Sequence, residues 1–429
     1  MPECVILADG VEGLYIKNTR FKTARISFNF YLPLKKETVA ANALLPCVLT
    51  SCSSKYPSFI QLNRKLKELY GAVLTQSSVK LDDMQCISIA VTTLCDKYTP
   101  DNSPVVMEAA QLLADIIFSP LICGDAFMPA DVDREKRQLA ESIEGEINEK
   151  RIYARARLVE EMFDNQPYGL PHSGKAEDVL KVTPRQLFET WQNLLRSAYV
   201  RVQAVGDFCP DELFSATAAA FGAIKRENIT DIKTMAPATP RKDVKRITEK
   251  LEVAQGKLVM GFTSECWGID NNTDAATVMA DVFGGGPYSL LFENVREKQS
   301  LCYYCSCTSV RSKGFLMVDS GVEAKNAKTA EAEILNQLDV LKSGDFSSEL
   351  FDASVRNLKD SVLSYNDSQK AIDSWYAMRI RQSNPPTPEK MAERIGKVTP
   401  NQVISAAKGV ELNAVYMLMP ASYDEKAGE

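Results

Sequence analysis

The chain has 429 residues, which is enough for two or three domains of ordinary size. Hydrophobic residues make up 45% of it and charged residues 25%, the balance of a globular protein with ample material for buried cores. Its 50 basic and 56 acidic residues leave a net charge of −6, so the composition argues against nucleic acid as a main partner.

Strands and helices are predicted in the same order in both halves of the chain. In the first half, residues 24–30 alternate as a half-buried strand, and they precede helical stretches from residue 40 and over 58–70, strands at 72–79 and 86–93, and a long helix after Ser103-Pro104. In the second half, a strand at 257–262 precedes helical stretches from residue 275 and over 289–298, strands at 301–310 and 314–321, and a long helix over 325–341.

A short internal repeat supports a duplication. Residues 181–186 (KVTPRQ) recur as residues 397–402 (KVTPNQ), about half a chain length later. In each copy the threonine is placed to cap a helix whose first residue is proline, and an amphipathic helix and a strand follow. We therefore predict an α+β protein of two homologous domains, each a mainly antiparallel sheet packed with helices.

The join between the predicted domains is polar. Residues 226–243 contain Pro237, Pro240 and several threonines without a sustained apolar period, which is typical of an exposed linker. The prediction is an N-terminal domain over 1–228, a linker over 229–242 and a C-terminal domain over 243–429.

The histidine and cysteine content indicates which metal sites the chain can form and in which cellular compartment we expect it. The single histidine, His172, cannot form a zinc motif that needs two histidines. Eleven scattered cysteines lack the framework of a small secreted domain, and no basic segment followed by an apolar core marks a signal peptide. No apolar run approaches the ~20 residues of a membrane span. We expect a cytoplasmic protein with reduced thiols and no membrane partner.

The most distinctive segment runs from residue 283 to residue 303. Gly284, Gly285 and Gly286 permit unusual backbone angles or close approach of another backbone, but they match no phosphate-binding loop. A helix with Arg296 at its end follows, and Tyr303 lies seven residues later in a predicted strand. Taken singly, the glycines are typical of a helix end, the arginine of a solvated side chain and the tyrosine of a core position.

Together these residues fit the pattern G-G-G-x-x-S-x-L-F-x-x-V-R-E-x-x-x-L-x-Y, which resembles the C-terminal domain of pitrilysin-like (inverzincin) peptidases of the mitochondrial-processing-peptidase type. Members of that family have two homologous α+β halves. The resemblance implies that Arg296 and Tyr303 are the family's substrate-binding pair, with Tyr303 donating to a peptide carbonyl oxygen and Arg296 holding peptide and tyrosine in place. It also implies that the glycines belong to the substrate-binding segment.

The family's zinc motif, H-x-x-E-H, is missing from its expected position. The aligned residues are Ala43-Leu44-Leu45-Pro46-Cys47, so Ala43 and Cys47 replace the histidines and Pro46 replaces the glutamate base. The third ligand position falls at Ser142, or at Glu141 with one residue of slippage. One cysteine does not hold zinc, and Pro46 is expected to disturb the helix. We predict no cofactor in this chain.

In heterodimeric members of this family, one subunit carries the zinc ion and the other supplies the Arg/Tyr pair. The chain resembles the non-catalytic subunits of the small bacterial group called YfmF-like. The resemblance implies a homologous zinc-bearing partner and an unfolded peptide substrate. One rival hypothesis is a proteolytically inactive scaffold of the same fold, linked to modification of elongation factor P. The other is a cysteine-dependent enzyme using Cys47 or the Cys302 cluster.

The cluster Cys302, Cys305 and Cys307 lacks a second group of ligands for zinc. Strand alternation places Cys305 and Cys307 on one face, so both are predicted to be small core residues. A redox CxxC pair remains an alternative.

Overall fold

The computed structural model describes residues 3–101, 103–269 and 273–421. Eleven strands are assigned in this part of the chain: β1 (Glu3–Ala8), β2 (Val11–Lys17), β3 (Thr23–Pro33), β4 (Val73–Leu81), β5 (Met84–Leu94), β6 (Tyr199–Gly206), β7 (Lys245–Leu251), β8 (Gly256–Ser264), β9 (Cys302–Val310), β10 (Phe315–Val322) and β11 (Val410–Pro420). The α-helices are α1 (Val39–Leu49), α2 (Phe59–Glu68), α3 (Val105–Phe118), α4 (Pro129–Gly145), α5 (Lys150–Met162), α6 (Ala176–Lys181), α7 (Pro184–Ser197), α8 (Asp211–Gly222), α9 (Asp274–Gly284), α10 (Ala327–Ser343), α11 (Ser348–Leu363), α12 (Gln369–Ala377), α13 (Pro388–Ile395) and α14 (Pro400–Lys408).

The two sheets share one topology. The first has the order β1-β2-β6-β3-β5-β4, and the second has the order β7-β11-β8-β10-β9. In each sheet one pair is parallel, β2 with β6 and β7 with β11, and the remaining pairs are antiparallel. Apart from the additional edge strand β1, the second sheet repeats the first strand for strand. The predicted α+β fold with a duplicated, mainly antiparallel sheet is confirmed.

The compact units do not follow the contiguous boundaries predicted from the sequence. Unit 1 comprises Met1–Glu144, Leu170–Thr234 and Tyr365–Pro385, and unit 2 comprises Gly145–Gly169, Met235–Ser364 and Pro386–Glu429. Helix α12, from the second half of the chain, therefore packs on β3 and β6 of unit 1. Helix α5, from the first half, packs on β8 and β11 of unit 2. Each half of the chain contributes one helix to the other half's sheet.

This exchange changes the surroundings of β3. The alternating pattern predicts one solvent-facing side, but every residue from Ala24 to Leu32 is buried. Helix α12 covers the polar side, where Asp373 accepts hydrogen bonds from Arg25 Nε at 2.8 Å and Ser27 Oγ at 2.6 Å. Arg25 and Ser27 therefore have their partner on the covering helix, whereas Asn29 donates to Ser27 Oγ within the strand.

The repeated motif forms the helix starts that its sequence predicts. Thr183 caps α7 and Thr399 caps α14, each with proline as the first helical residue. The glutamine three positions after each threonine completes a reciprocal capping box, since Gln186 and Gln402 accept from the threonine backbone N–H.

The segment predicted to be an exposed linker is partly packed into the units that it joins in sequence. Ile232 contributes to a small apolar cluster of unit 1, and Ala238 is buried in unit 2. The Thr230 backbone N–H donates to Ser197 O at 2.8 Å. The prediction of exposure is wrong at these residues, because single apolar side chains are buried within a segment whose overall composition is polar.

None of the helices in the described part of the chain has the length and hydrophobicity of a membrane span.

Candidate functional site

The candidate substrate-binding residues lie in unit 2, on two consecutive elements that follow α9. Residues Leu291–Lys298 are wound as a π-helix, wider than the α-helix that the sequence predicts. Ser300 then adopts a left-handed conformation with φ of 52°, and the Leu301 backbone N–H donates to Val295 O at 3.0 Å. This tight reversal leads the chain from Arg296 in the π-helix directly into strand β9.

The glycines before the π-helix have a packing role. A Cβ atom on Gly284 would lie 2.6 Å from the Cys307 backbone nitrogen, so only glycine allows α9 to end this close to β9. A Cβ atom on Gly285 would lie 2.2 Å from the Asp281 carboxylate, which accepts hydrogen bonds from Tyr288 Oη at 2.7 Å and Asn357 Nδ2 at 3.1 Å. These contacts account for Gly284 and Gly285 by packing, without any contact with a substrate.

Tyr303 occupies a β-bulge in strand β9, where sequence analysis predicts a regular strand position. In the register with β10, Cys302 lies opposite Val322 and Tyr304 lies opposite Gly321, so Tyr303 is the inserted residue. Its side chain is 52% exposed. Strand β9 is also the last strand of its sheet. The bulge and the edge position together direct the ring of Tyr303 toward solvent.

Among the residues that the structure describes, the Tyr303 hydroxyl has one long hydrogen bond. It donates to Glu323 Oε1 at 3.4 Å, and Glu323 is itself paired with Lys325 at 3.0 Å. The hydrogen bond and charge of Lys325, with a smaller contribution from the Tyr303 hydroxyl, lower the pKa of Glu323. This carboxylate is therefore charged at neutral pH. Because the hydrogen bond is long and exposed, the phenol can exchange Glu323 for another acceptor at little cost.

Arg296 is held by local contacts that leave its charge available. Its guanidinium lies 4.4 Å from the centre of the Phe292 ring, one turn earlier, and 3.4 Å from the Glu297 carboxylate. The side chain is 38% exposed. Its positive charge also acts on Cys302, the neighbour of Tyr303. Arg296 and Tyr303 therefore present two exposed donors on consecutive elements of unit 2.

The cysteines of β9 are buried, as predicted for Cys305 and Cys307. Their exposed fractions are 4% and 7%, and that of Cys302 is 9%. The bulge at Tyr303 adds Cys302 to the same buried side, which regular alternation does not predict. Burial raises the pKa of Cys307 well above its ordinary value.

Residues 43–47, which the resemblance aligns with the family's zinc motif, lie on α1 of unit 1. The helix continues through Pro46, contrary to the expected disturbance, and the Thr50 backbone N–H bonds to Pro46 O at 3.1 Å. Ala43 and Pro46 are buried, and Cys47 is partly buried beside Gln76, whose amide donates to the sulfur at 3.4 Å. Burial, with a smaller contribution from Glu135, raises the pKa of Cys47 to about 11. This thiol is protonated at neutral pH, and one thiol alone does not hold zinc.

Glu135 also bears on the third ligand position. It lies on α4 and acts on Cys47, and Ser142 follows it by seven residues, which is two helical turns on the same face. Glu141 and Ser142 are both exposed on α4, and the third ligand position stays a prediction. Ser142 is exposed and carries a hydroxyl in place of a carboxylate.

The residues present at the motif do not fit zinc. A methyl group, a proline ring, a protonated thiol and an exposed hydroxyl offer no set of three ligands. Across residues 3–101, 103–269 and 273–421, no three His, Cys, Asp or Glu side chains are grouped so that they could hold a metal ion. His172 contributes its backbone oxygen to Gln85 Nε2 at 2.9 Å.

Sequence reasoning missed Glu323 and the placement of Cys302. Glu323 is 20 residues from Tyr303, and no local pattern connects them. The spacing of Cys302 and Cys305 contains a usable signal, because two inward-facing residues three apart on a strand require a bulge between them.

The Peptidase M16 inactive domain matches residues 181–358. "Probable inactive metalloprotease YmfF" of Bacillus subtilis is 32% identical over 95% of this chain and 96% of its own length. An uncharacterized zinc protease of Streptomyces coelicolor is 22% identical over 71% of this chain and 68% of its own length.

Two solved structures share the fold along nearly the whole chain. A conserved protein from Enterococcus faecalis V583 has a TM-score of 0.91 and 27% identity, covering 99% of this chain and all of the other. A peptidase M16 inactive domain from Pseudomonas fluorescens has a TM-score of 0.78 and 17% identity, covering 99% of each chain. The chain therefore belongs to the peptidase M16 family.

Proposed function

We propose that this chain is the non-catalytic subunit of a heterodimeric zinc metallopeptidase and that it binds unfolded peptide through Arg296 and Tyr303. The main support for this proposal is a contrast between the two units. Unit 2 keeps an exposed arginine and tyrosine on consecutive elements, whereas unit 1 has lost every side chain of the zinc motif. In the proposed complex a homologous partner holds the zinc and performs the hydrolysis.

Tyr303 acts as the hydrogen-bond donor in this proposal. Its phenol releases Glu323 and donates to the carbonyl oxygen of the bound peptide, where negative charge develops during attack. A positioned donor of this kind contributes about 10²–10³ in rate. Arg296 adds positive charge and further N–H donors, which hold the peptide backbone in register with Tyr303.

The rival hypotheses lead to different behaviour. A scaffold would retain Arg296 and Tyr303 only as remnants and would not depend on them. A cysteine nucleophile at Cys47 is disfavoured, because its raised pKa of about 11 leaves little thiolate at neutral pH.

The test is cleavage of an unfolded peptide by the chain combined with a zinc-bearing M16 partner co-purified from the native host. We expect Tyr303→Phe to lower kcat by about 10²–10³ and Arg296→Ala to raise KM as well. Matched controls are Lys298→Ala, another exposed cation of the π-helix, and Tyr70→Phe, an exposed tyrosine of unit 1. Both should cleave at the wild-type rate. Wild-type cleavage by a folded, assembled Tyr303→Phe, Arg296→Ala double variant would favour the scaffold.

A further inference from the structure

The side of the second sheet that α5 covers carries three cations, all of them in unit 2. Arg151 and Arg155 lie one helical turn apart on α5, and Lys257 lies at the start of β8. Arg155 Nη2 donates to Thr308 Oγ1 of the edge strand β9 at 3.5 Å. We call Arg151, Arg155 and Lys257 the basic cluster.

A row of residues across three strands connects Lys257 with the edge strand. Gly321 of β10 lies opposite Tyr304 of β9 on one side and opposite Lys257 of β8 on the other. A Cβ atom on Gly321 would lie 2.5 Å from Tyr304 Cε1, so the glycine allows the Tyr304 ring to lie across β10. The centre of this ring is 5.6 Å from Lys257 Nζ.

Arg151 contacts the same ring. Its guanidinium carbon lies 4.3 Å from the centre of the Tyr304 ring. Its Nε donates to the Asp319 carboxylate, which is 1% exposed, and its Nη2 donates to Ser306 Oγ at 2.8 Å. Asp319 therefore balances the charge of Arg151, and the two hydrogen bonds fix the guanidinium beside the tyrosine.

The basic cluster has more positive charge than its surroundings neutralise. Within the described part of the chain, Asp319 is the one carboxylate that forms an ion pair with any of the three cations. Burial, followed by the charge of Arg151, lowers the pKa of the half-buried Lys257. A partly buried ammonium without a counter-ion is unfavourable, and a bound anion would relieve this cost.

We propose that the basic cluster binds a carboxylate of the peptide, so that this chain prefers acidic peptide segments. The inference deepens the proposed function and rests on it for the identity of the ligand as a peptide. Tyr304 directly follows Tyr303 in the chain, which places the cluster beside the residue proposed to contact the peptide backbone. Lys257 donates to the carboxylate, and the charges of Arg151 and Arg155 strengthen the attraction.

The test measures peptide binding by the isolated full-length chain, without a zinc-bearing partner. The probes are an unfolded peptide that contains glutamates and has blocked ends, the same peptide with glutamine in place of each glutamate, and the glutamine peptide with a free C-terminal carboxylate. A neutral coumarin label reports binding by fluorescence anisotropy. We expect the glutamate peptide to bind about tenfold more tightly than the blocked glutamine peptide.

The third peptide identifies the source of the carboxylate. If the free-ended glutamine peptide binds as tightly as the glutamate peptide, the C-terminal carboxylate of a peptide occupies the site. If it binds as weakly as the blocked glutamine peptide, the site takes acidic side chains. Either result supports the basic cluster, provided that the tighter binding weakens as the salt concentration rises.

Lys257→Met keeps the length of the side chain and removes its charge. It should lower the affinity for the tighter-binding peptide about tenfold and leave binding of the blocked glutamine peptide unchanged. Lys342→Met, at a half-buried lysine of α10, is the matched control and should keep the wild-type preference. If Lys257→Met does not fold, Arg155→Gln, at a partly exposed side chain, decides the same question.

Two results would overturn the proposal. One is equal binding of all three peptides by the wild-type chain, including no binding of any of them. The other is an unchanged preference for the carboxylate in folded Lys257→Met and Arg155→Gln chains. Thermal melts provide the folding control, and Lys257→Met should melt at or above the wild-type temperature because it removes a cation that has no carboxylate partner.

The outcomes also separate this inference from the proposed function. If the preference depends on Lys257 while the folded, assembled Tyr303→Phe, Arg296→Ala double variant cleaves peptide normally, the basic cluster stands and the proposed function fails. If that double variant is inactive but the wild-type chain binds all three peptides equally, the proposed function stands and the basic cluster fails.

Discussion

Arg25 and Asp373 are 348 residues apart in sequence and form a buried ion pair with an Nε–Oδ2 distance of 2.8 Å. The pair joins strand β3 to helix α12, the helix that the second half of the chain contributes to unit 1. Asp373 also accepts a hydrogen bond from Ser27, and its backbone oxygen accepts one from Gln203. Asp373 thus accepts hydrogen bonds from three polar side chains of the sheet that α12 covers.

Asp373→Ala should destabilise the protein strongly. The substitution leaves the Arg25 guanidinium buried without its counter-ion, and breaking a buried pair in this way costs about 3–5 kcal/mol. The measurement is the free energy of unfolding in urea, followed by circular dichroism. Asp367→Ala, an exposed aspartate just before α12, is the control and should change stability by less than about 0.5 kcal/mol. Equal effects of the two substitutions would show that the ion pair does not anchor α12.

Gly284→Ala should also be destabilising, because the new methyl group would meet the Cys307 backbone nitrogen at 2.6 Å. Overpacking between two backbones that cannot easily separate costs about 1–3 kcal/mol. The control is Gly222→Ala at the end of α8, where a Cβ atom has no neighbour within 4 Å and alanine favours the helix. We expect thermal melts to show a lower Tm for Gly284→Ala and an unchanged or higher Tm for Gly222→Ala.

The isolated chain should bind no stoichiometric zinc and should not hydrolyse unfolded peptides. Ala43, Pro46 and Cys47 offer no ligand set, and the Cys47 thiol is protonated at neutral pH. Elemental analysis of the purified chain provides the measurement. Finding about one zinc per wild-type chain, and none in Cys47→Ser, would contradict this prediction.

Alkylation of the β9 cysteines should depend differently on pH. The Cys302 rate with iodoacetamide should rise as pH increases through about 7, because the thiolate is the nucleophile and its pKa is lowered to that value. Cys305 and Cys307 should remain slow through neutral pH, because the neighbouring Cys302 thiol and burial raise the pKa of Cys305 and burial raises the pKa of Cys307. Mass-spectrometric rates for each cysteine from pH 6 to pH 9 provide the measurement. Rapid labelling of Cys307 in the folded chain at pH 7 would show that this side of β9 is open to solvent.

Local sequence patterns predict many of the helices and strands of this protein. The two KVTP segments predict their helix starts because threonine caps and first-position prolines act within four residues. Alternation predicts β3 and β8 because strand periodicity is a property of neighbouring residues. The edge strands β1 and β7 were not predicted, and β7 (KRITEKL) shows why: an edge strand tolerates charges that mask a buried pattern.

The candidate site likewise has some features that the sequence shows and others that only the structure shows. The sequence shows Arg296 and Tyr303, and it shows that Ala43, Pro46 and Cys47 stand where the resemblance places the two histidines and the glutamate base. The exposure of Tyr303 is not visible there, since it depends on a bulge defined by pairing with β10. The contact with Glu323 likewise exists only once the two strands are paired.

Only the tertiary structure decided which helix covers which sheet. Arg25 and Ser27 appear in the sequence as the solvent side of a half-buried strand, yet both are buried beneath α12. The reason is that periodicity reports which side chains share a face, whereas the partner that covers the face can come from any distance along the chain. The sequence by itself determined a duplicated α+β fold and the absence of an H-x-x-E-H motif. The exchange of α5 and α12, and the bulge that exposes Tyr303, depended on contacts between distant segments that no local pattern encodes.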